Sequence, residues 1–238
     1  MLITKLNRID NVYQDILPSR MTLELLWVTS VAALTIGRWG YVVGNWPYFA
    51  QNPAAILQLR QVGGLHSGSA WIGGMLAAGL WARSKRLWVA DVIARLSPIA
   101  LLTAAGAWWG CADVGCAWGR ETWQAFTWTH AAPVWHRIIM VEAPDIYHTV
   151  LPRYAVQNLG MMWALVTALS AMMVPRWGAL AVASYLLGEA ALTQIRGDPV
   201  PMLGPYRVDL LLNLGLSLTV WLMQWHSWHT WRRLPHKI

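Results

Sequence analysis

Gly110-Cys111-Ala112-Asp113-Val114-Gly115-Cys116-Ala117-Trp118-Gly119-Arg120-Glu121-Thr122 follows a long apolar run and gathers three glycines, two cysteines and an arginine. Glycine at this density lets a backbone turn tightly and come close to a ligand. Arg120 closes the stretch with a planar fork suited to phosphate or carboxylate. The spacing of Cys111 and Cys116 permits a disulfide, and equally a pair of packed thiols. No soluble domain adjoins this segment, and the rest of the chain reads as membrane scaffold placed around an outward-facing loop.

Composition sets that class. The 238 residues are 56% hydrophobic and only 12% charged, against roughly 25% charged in soluble domains. Eighteen tryptophans stand against two phenylalanines, and tryptophan is favoured where one end of a side chain is wet and the other meets lipid. The net charge of +7 sits in short clusters between apolar runs. That pattern fits anionic headgroups and excludes a nucleic-acid partner.

The expected fold is an all-α integral membrane protein of about six transmembrane helices, with a long outward loop between the third and fourth. Residues 1–20 form a cytoplasmic segment, 21–225 a polytopic membrane domain and 226–238 a basic, Trp-rich cytoplasmic tail. The spans are placed at Met21–Val43, Gly63–Trp81, Leu87–Trp109, Tyr154–Val174, Trp177–Thr193 and Val208–Gln224. Residues 44–62 are a connector with a short helix at Ala54–Arg60. No cleaved signal is visible, so the first span serves as its own insertion signal.

Lys5, Arg8, Arg20, Arg83, Lys85, Arg86, Arg176, Arg232, Arg233 and Lys237 fall on one side, and Arg60, Arg120, Arg137, Arg153, Arg196 and Arg207 on the other. The positive-inside rule then makes both termini cytoplasmic. The long connection also carries His130, His136, Glu142, Asp145 and His148.

The outer ends of the spans bring together His66, Arg120, Glu121, Gln157, Arg196, Asp198, Arg207 and Asp209. Arginine forks at a membrane surface suit a phospholipid headgroup, and a histidine beside them can move a proton. Arg38, at the far end of the first span, is either a snorkelling side chain or an anion contact. The small residues around His66 either pack helices closely or admit lipid to the backbone. No catalytic Ser/His/Asp order, phosphate-binding P-loop or metal-ligand spacing is present, and no cofactor is called for.

In this order the motifs resemble those of the prolipoprotein diacylglyceryl transferase family, over about Ile36 to Leu218. Ile36-Gly37-Arg38-Trp39-Gly40-Tyr41-Val42 resembles its arginine-bearing helix end. Gly63-Gly64-Leu65-His66-Ser67-Gly68-Ser69-Ala70-Trp71-Ile72-Gly73-Gly74 resembles its glycine-rich segment with an essential histidine. The Gly110–Arg120 stretch resembles the cysteine-bearing version of its signature loop. Tyr154-Ala155-Val156-Gln157 is similar to its His-Pro-Thr-Gln segment, and Arg196-Gly197-Asp198 to the basic end of its next motif.

The departures are specific. The family's essential histidine falls on Gly68, with His66 two residues earlier. The arginine opening the signature loop falls on Trp108. The tyrosine and glutamate after Gln157 become Leu159 and Gly160, and the arginine and glutamate before Arg196 become Glu189 and Thr193. Of the family's usual seven spans, the first is expected to be missing.

The resemblance implies transfer of diacylglycerol from phosphatidylglycerol to a cysteine of a precursor lipoprotein, in the bacterial inner membrane. It assigns catalysis to His66, Arg120 and Gln157, and lipid binding to Arg38, Gly64, Gly68, Gly115, Gly119, Arg196, Asp198 and Arg207. The substitutions favour a second expectation, an inactive homologue that binds lipid or serves as an accessory subunit of a membrane complex.

Overall fold

The structure is a computed structural model that describes residues 19–59, 64–121, 140–144 and 150–231. Arg60, Gly63, Thr122, His130, His136, Arg137, Asp145, His148, the segment before Ser19 and the basic residues after Trp231 lie outside these described residues. The chain divides into two compact units, Met1–Ile93 and Ala94–Ile238.

The first unit holds α1 (Ser19–Gly44), α2 (Trp46–Gln51), a short 3-10 turn (Pro53–Ile56) and α3 (Ser67–Ser84). α1 packs along α3, and the small residues set the approach. A Cβ on Gly73 would sit 2.6 Å from the Ala32 carbonyl oxygen, and one on Gly40 would overlap Ser69. Small residues at a helix contact let backbones come close where lipid supplies no hydrophobic drive. At the end of α1, Val42, Phe49 and Ala55 form a buried cluster with Tyr41 and Ile56 against it. The connector is thus more structured than expected: it contains α2, and its second turn covers Pro53–Ile56 rather than Ala54–Arg60. Pro47, second in α2, and Pro53, first in the 3-10 turn, set φ where no intrahelical N–H partner is needed.

α4 (Val89–Val114) leads into the second unit. It continues through Gly110 to Val114, so the opening of the expected loop is the last turn of a helix. Pro98 lies inside it. The helix stops at Gly115, whose φ of +73° admits the left-handed turn. The Cys116 N–H then bonds the Cys111 carbonyl at 3.0 Å, the closing bond of a Schellman cap. Cys111 and Cys116 are also joined by a disulfide, so one pair of residues caps the helix twice.

The remaining elements are β1 (Met140–Pro144), β2 (Val150–Tyr154), α5 (Val156–Met173), α6 (Gly178–Leu192), β3 (Met202–Leu203), β4 (Tyr206–Arg207) and α7 (Val208–Trp231). α6 packs against both α5 and α7. β1 pairs antiparallel with β2, placing Met140 opposite Tyr154, and β3 with β4. Helices dominate, as expected of an all-α membrane protein, and two short hairpins join them.

Met21–Gly44, Val89–Val114, Val156–Met173 and Val208–His229 are long and apolar enough to cross a membrane. α6 has 15 residues, about 22 Å at 1.5 Å per residue, short of the ~30 Å hydrocarbon core. α3 starts at Ser67, later than expected, so Gly64 and His66 precede it. α7 runs unbroken past residue 225, where the tail was expected to begin, and Trp221 stacks on Trp225 along it.

Candidate lipid-headgroup site

In the first unit, Arg38 is 6% exposed. Its guanidinium donates to the carbonyls of Ile56 (2.9 Å), Gly64 (3.1 Å) and Ala55 (2.7 Å), and lies over the Phe49 ring. These bonds clamp the connector to the end of α1, a use the sequence did not suggest. Gly64 takes φ +83° against the Tyr41 ring, where a Cβ would overlap it. His66 is the N-cap of α3: its Nδ1 accepts the Ser69 N–H at 3.1 Å, with the Ser69 hydroxyl at 2.9 Å. An accepting Nδ1 places the proton of the neutral ring on Nε2. Gly68 is buried in the first turn of α3, while His66 has extended backbone outside the helix.

In the second unit, three segments meet. Gly119 bridges Arg196, the Arg120 N–H bonds the Ile195 carbonyl at 2.7 Å, and the Gly197 N–H bonds Trp118 at 2.9 Å. The Tyr154 N–H bonds the Arg120 carbonyl at 3.2 Å, and Glu121 bridges Arg153. Gly119 is required here because a Cβ would collide with the Tyr154 carbonyl. Gln157, 6% exposed, donates from Nε2 to the Cys116 carbonyl at 3.0 Å, tying α5 to the signature segment. Arg120 is exposed and donates to the Gln194 carbonyl at 2.9 Å.

Arg196 behaves differently. It pairs with Asp198 and, at 3.3 Å, with Asp209; Arg207 reaches the same two carboxylates at 3.3 Å. Burial works against the Arg196 charge, but the hydrogen bond and charge of Asp198, with Asp209 and Glu189 behind it, outweigh that and hold its pKa above the ordinary value. Two arginines and two aspartates thus neutralise one another in a box at the start of α7.

The feature sequence reasoning did not assign is a buried polar group inside the helices. Glu189 accepts from Trp108 Nε1 at 2.6 Å and from the Tyr185 hydroxyl, and all three are nearly inaccessible. A Cβ on Gly160 would overlap the Trp108 indole. A signal was present: Glu189 is an ionisable residue in an apolar run, with Tyr185 four residues before it on the same helical face. Among the described residues no three His, Cys, Asp or Glu side chains are grouped to hold a metal.

Apolar helices with polar junctions at their ends define an integral membrane protein, and the comparisons give its family. The profile described as prolipoprotein diacylglyceryl transferase matches residues 8–226. The chain belongs to that family and is transferase-like. It is 30% identical over 212 residues to the phosphatidylglycerol–prolipoprotein diacylglyceryl transferase of Trichormus variabilis, covering 83% of this chain and 72% of the relative. The transferase of the same name from Bacillus cereus is 28% identical over 207 residues (84% and 74%). That from Acaryochloris marina is 26% identical over 220 residues (90% and 77%).

Proposed function

We propose that the protein transfers a diacylglyceryl group from a glycerophospholipid, phosphatidylglycerol by analogy with its relatives, to the cysteine thiol of a precursor lipoprotein in the bacterial inner membrane. The sulfur attacks the glycerol carbon bearing the phosphate ester. A C–S bond forms, the C–O bond breaks, and glycerol phosphate leaves with the electron pair. The observation that carries this reading is Arg120, exposed on a junction held rigid by the Gly119–Arg196 bridge. It is placed to meet a phosphate by charge-assisted bonding. Gln157 supports the same segment, and Gly115 and Gly119 shape it.

His66 is the proposed proton acceptor for the thiol. Its Nδ1 is occupied by the Ser69 cap, so it takes a proton there only when that bond opens. Arg38, Gly64 and Gly68 support the backbone around it. Arg196, Asp198 and Arg207 reach a lipid less directly, since their charges are already paired.

One observation favours the second reading, a homologue that binds lipid without transferring it. The family resemblance places arginines at 108 and 189, and here those positions form a buried Trp–Glu hydrogen bond. The purified protein, given phosphatidylglycerol and a lipobox peptide, is expected to yield a diacylglyceryl thioether by mass spectrometry. Arg120→Ala is expected to abolish it. No product from a folded, lipid-bound protein sinks the transferase reading in favour of the second.

A further inference from the structure

A cavity of about 290 Å³ opens between the last turn of α4 and the first turns of α5. Trp108, Trp109, Asp113, Gln157, Asn158 and Met161 line it. That volume is near the lower end for small-ligand sites; it suits a headgroup and is too small for a whole lipid. We propose that this cavity binds the ammonium group of a phospholipid headgroup, with Asp113 as its counter-charge and the two tryptophans as its walls.

The charge of the lining carries the argument. Asp113 is the one ionisable residue among those lining the cavity, and no arginine or lysine is among them. Asp113 stands in the last turn of α4, which contains no basic residue. The carbonyl end of a helix is itself electronegative, so carboxylate and helix end act together. Tryptophan is the aromatic side chain that best attracts a cation to its face. Arg196 and Arg207, at the polar junction of this unit, are engaged with Asp198 and Asp209.

Position identifies the source of the ammonium. The cavity lies where one candidate span ends and the next begins, the height at which headgroups and interfacial tryptophans reside. An ethanolamine or choline phospholipid presents its cation there. The inference rests on reading this face as a headgroup site. It does not require the transfer reaction.

The full chain in mild detergent, offered an equimolar mixture of phosphatidylethanolamine and phosphatidylglycerol, tests this by native mass spectrometry. Ethanolamine lipid is expected to be retained about 2- to 5-fold over phosphatidylglycerol, the scale of one exposed cation–π contact. Asp113→Asn and Trp109→Leu are each expected to bring the ratio close to one. Trp109 is 68% exposed, so that variant leaves the fold intact. A choline lipid retained equally well assigns recognition to charge and aromatic faces; a preference for ethanolamine adds hydrogen bonding to Asp113. Phosphatidylglycerol retained equally or better by the unmodified chain, or a ratio unmoved by both variants, overturns the proposal. Adding the lipobox peptide separates the two readings. Ethanolamine-selective binding without thioether from any lipid removes the transferase and keeps the cavity. Thioether from phosphatidylglycerol with no ammonium preference does the reverse.

Discussion

Trp108 and Glu189 lie 81 residues apart in sequence, and the indole Nε1 of one donates to Oε1 of the other at 2.6 Å. The family resemblance expects a positive charge at each position. A buried indole N–H and a buried carboxylate each carry a desolvation cost that the bond between them offsets. Together, with the Tyr185 hydroxyl also donating to Glu189, they satisfy one another. Gly160 leaves the room that the indole occupies. The three departures are therefore one coupled change.

Glu189→Ala removes the acceptor that two buried donors share. It is expected to cost about 1–3 kcal/mol, read as a lower midpoint in thermal unfolding in detergent. Glu189→Gln keeps an acceptor and should lose less. A double-mutant cycle with Trp108→Phe is expected to show a coupling of about 0.5–3 kcal/mol. Strict additivity would mean that the bond does not hold the helices together.

Gly160→Ala places a methyl against the Trp108 ring and is expected to destabilise by about 1–3 kcal/mol. Trp108→Leu in the same chain should recover most of that loss, because the three atoms nearest such a methyl all belong to the indole. Failure of the second change to rescue the first would place the strain elsewhere.

The arginines divide into two kinds. Asp209→Asn leaves Arg196 and Arg207 sharing one carboxylate, and breaking such a largely buried group is expected to cost about 3 kcal/mol. Arg120→Ala removes an exposed side chain and should shift stability by less than about 0.5 kcal/mol while abolishing transfer. Thermal unfolding and product mass measured on the same samples check both. A large stability loss in Arg120→Ala would make that residue structural.

His66 has two roles to separate. Asn is a strong N-cap, so His66→Asn should keep α3 stable, whereas His66→Ala is expected to cost about 1 kcal/mol. If His66 also accepts the thiol proton, both variants lose transfer. Retained transfer in His66→Asn would leave the cap as its only function.

The disulfide closes a short loop and is expected to contribute about 2 kcal/mol on a chain-entropy basis. Alkylating reagents should label Cys111 and Cys116 in the denatured protein only after reduction. Because the Cys116 carbonyl accepts from Gln157, Cys116→Ser should also loosen the start of α5, visible as faster amide exchange there.

The sequence by itself determined the membrane class, the positions of the four long apolar helices and the motif order that places the chain in its family. These are local or compositional properties: hydrocarbon demands long apolar runs whatever they pack against. The close helix packing that the small residues around His66 permit also follows from residue type. Only the tertiary structure decided that Gly110-Cys111 ends a helix, that the cysteines are bonded, and that Arg38 clamps the connector. It also paired Arg196 and Arg207 with Asp198 and Asp209, and made Trp108, Gly160 and Glu189 a single unit. Residues 52 or 81 positions apart give no periodic signal of their pairing. Whether a buried carboxylate meets a donor depends on which helix faces come together, and side-chain packing between helices sets that.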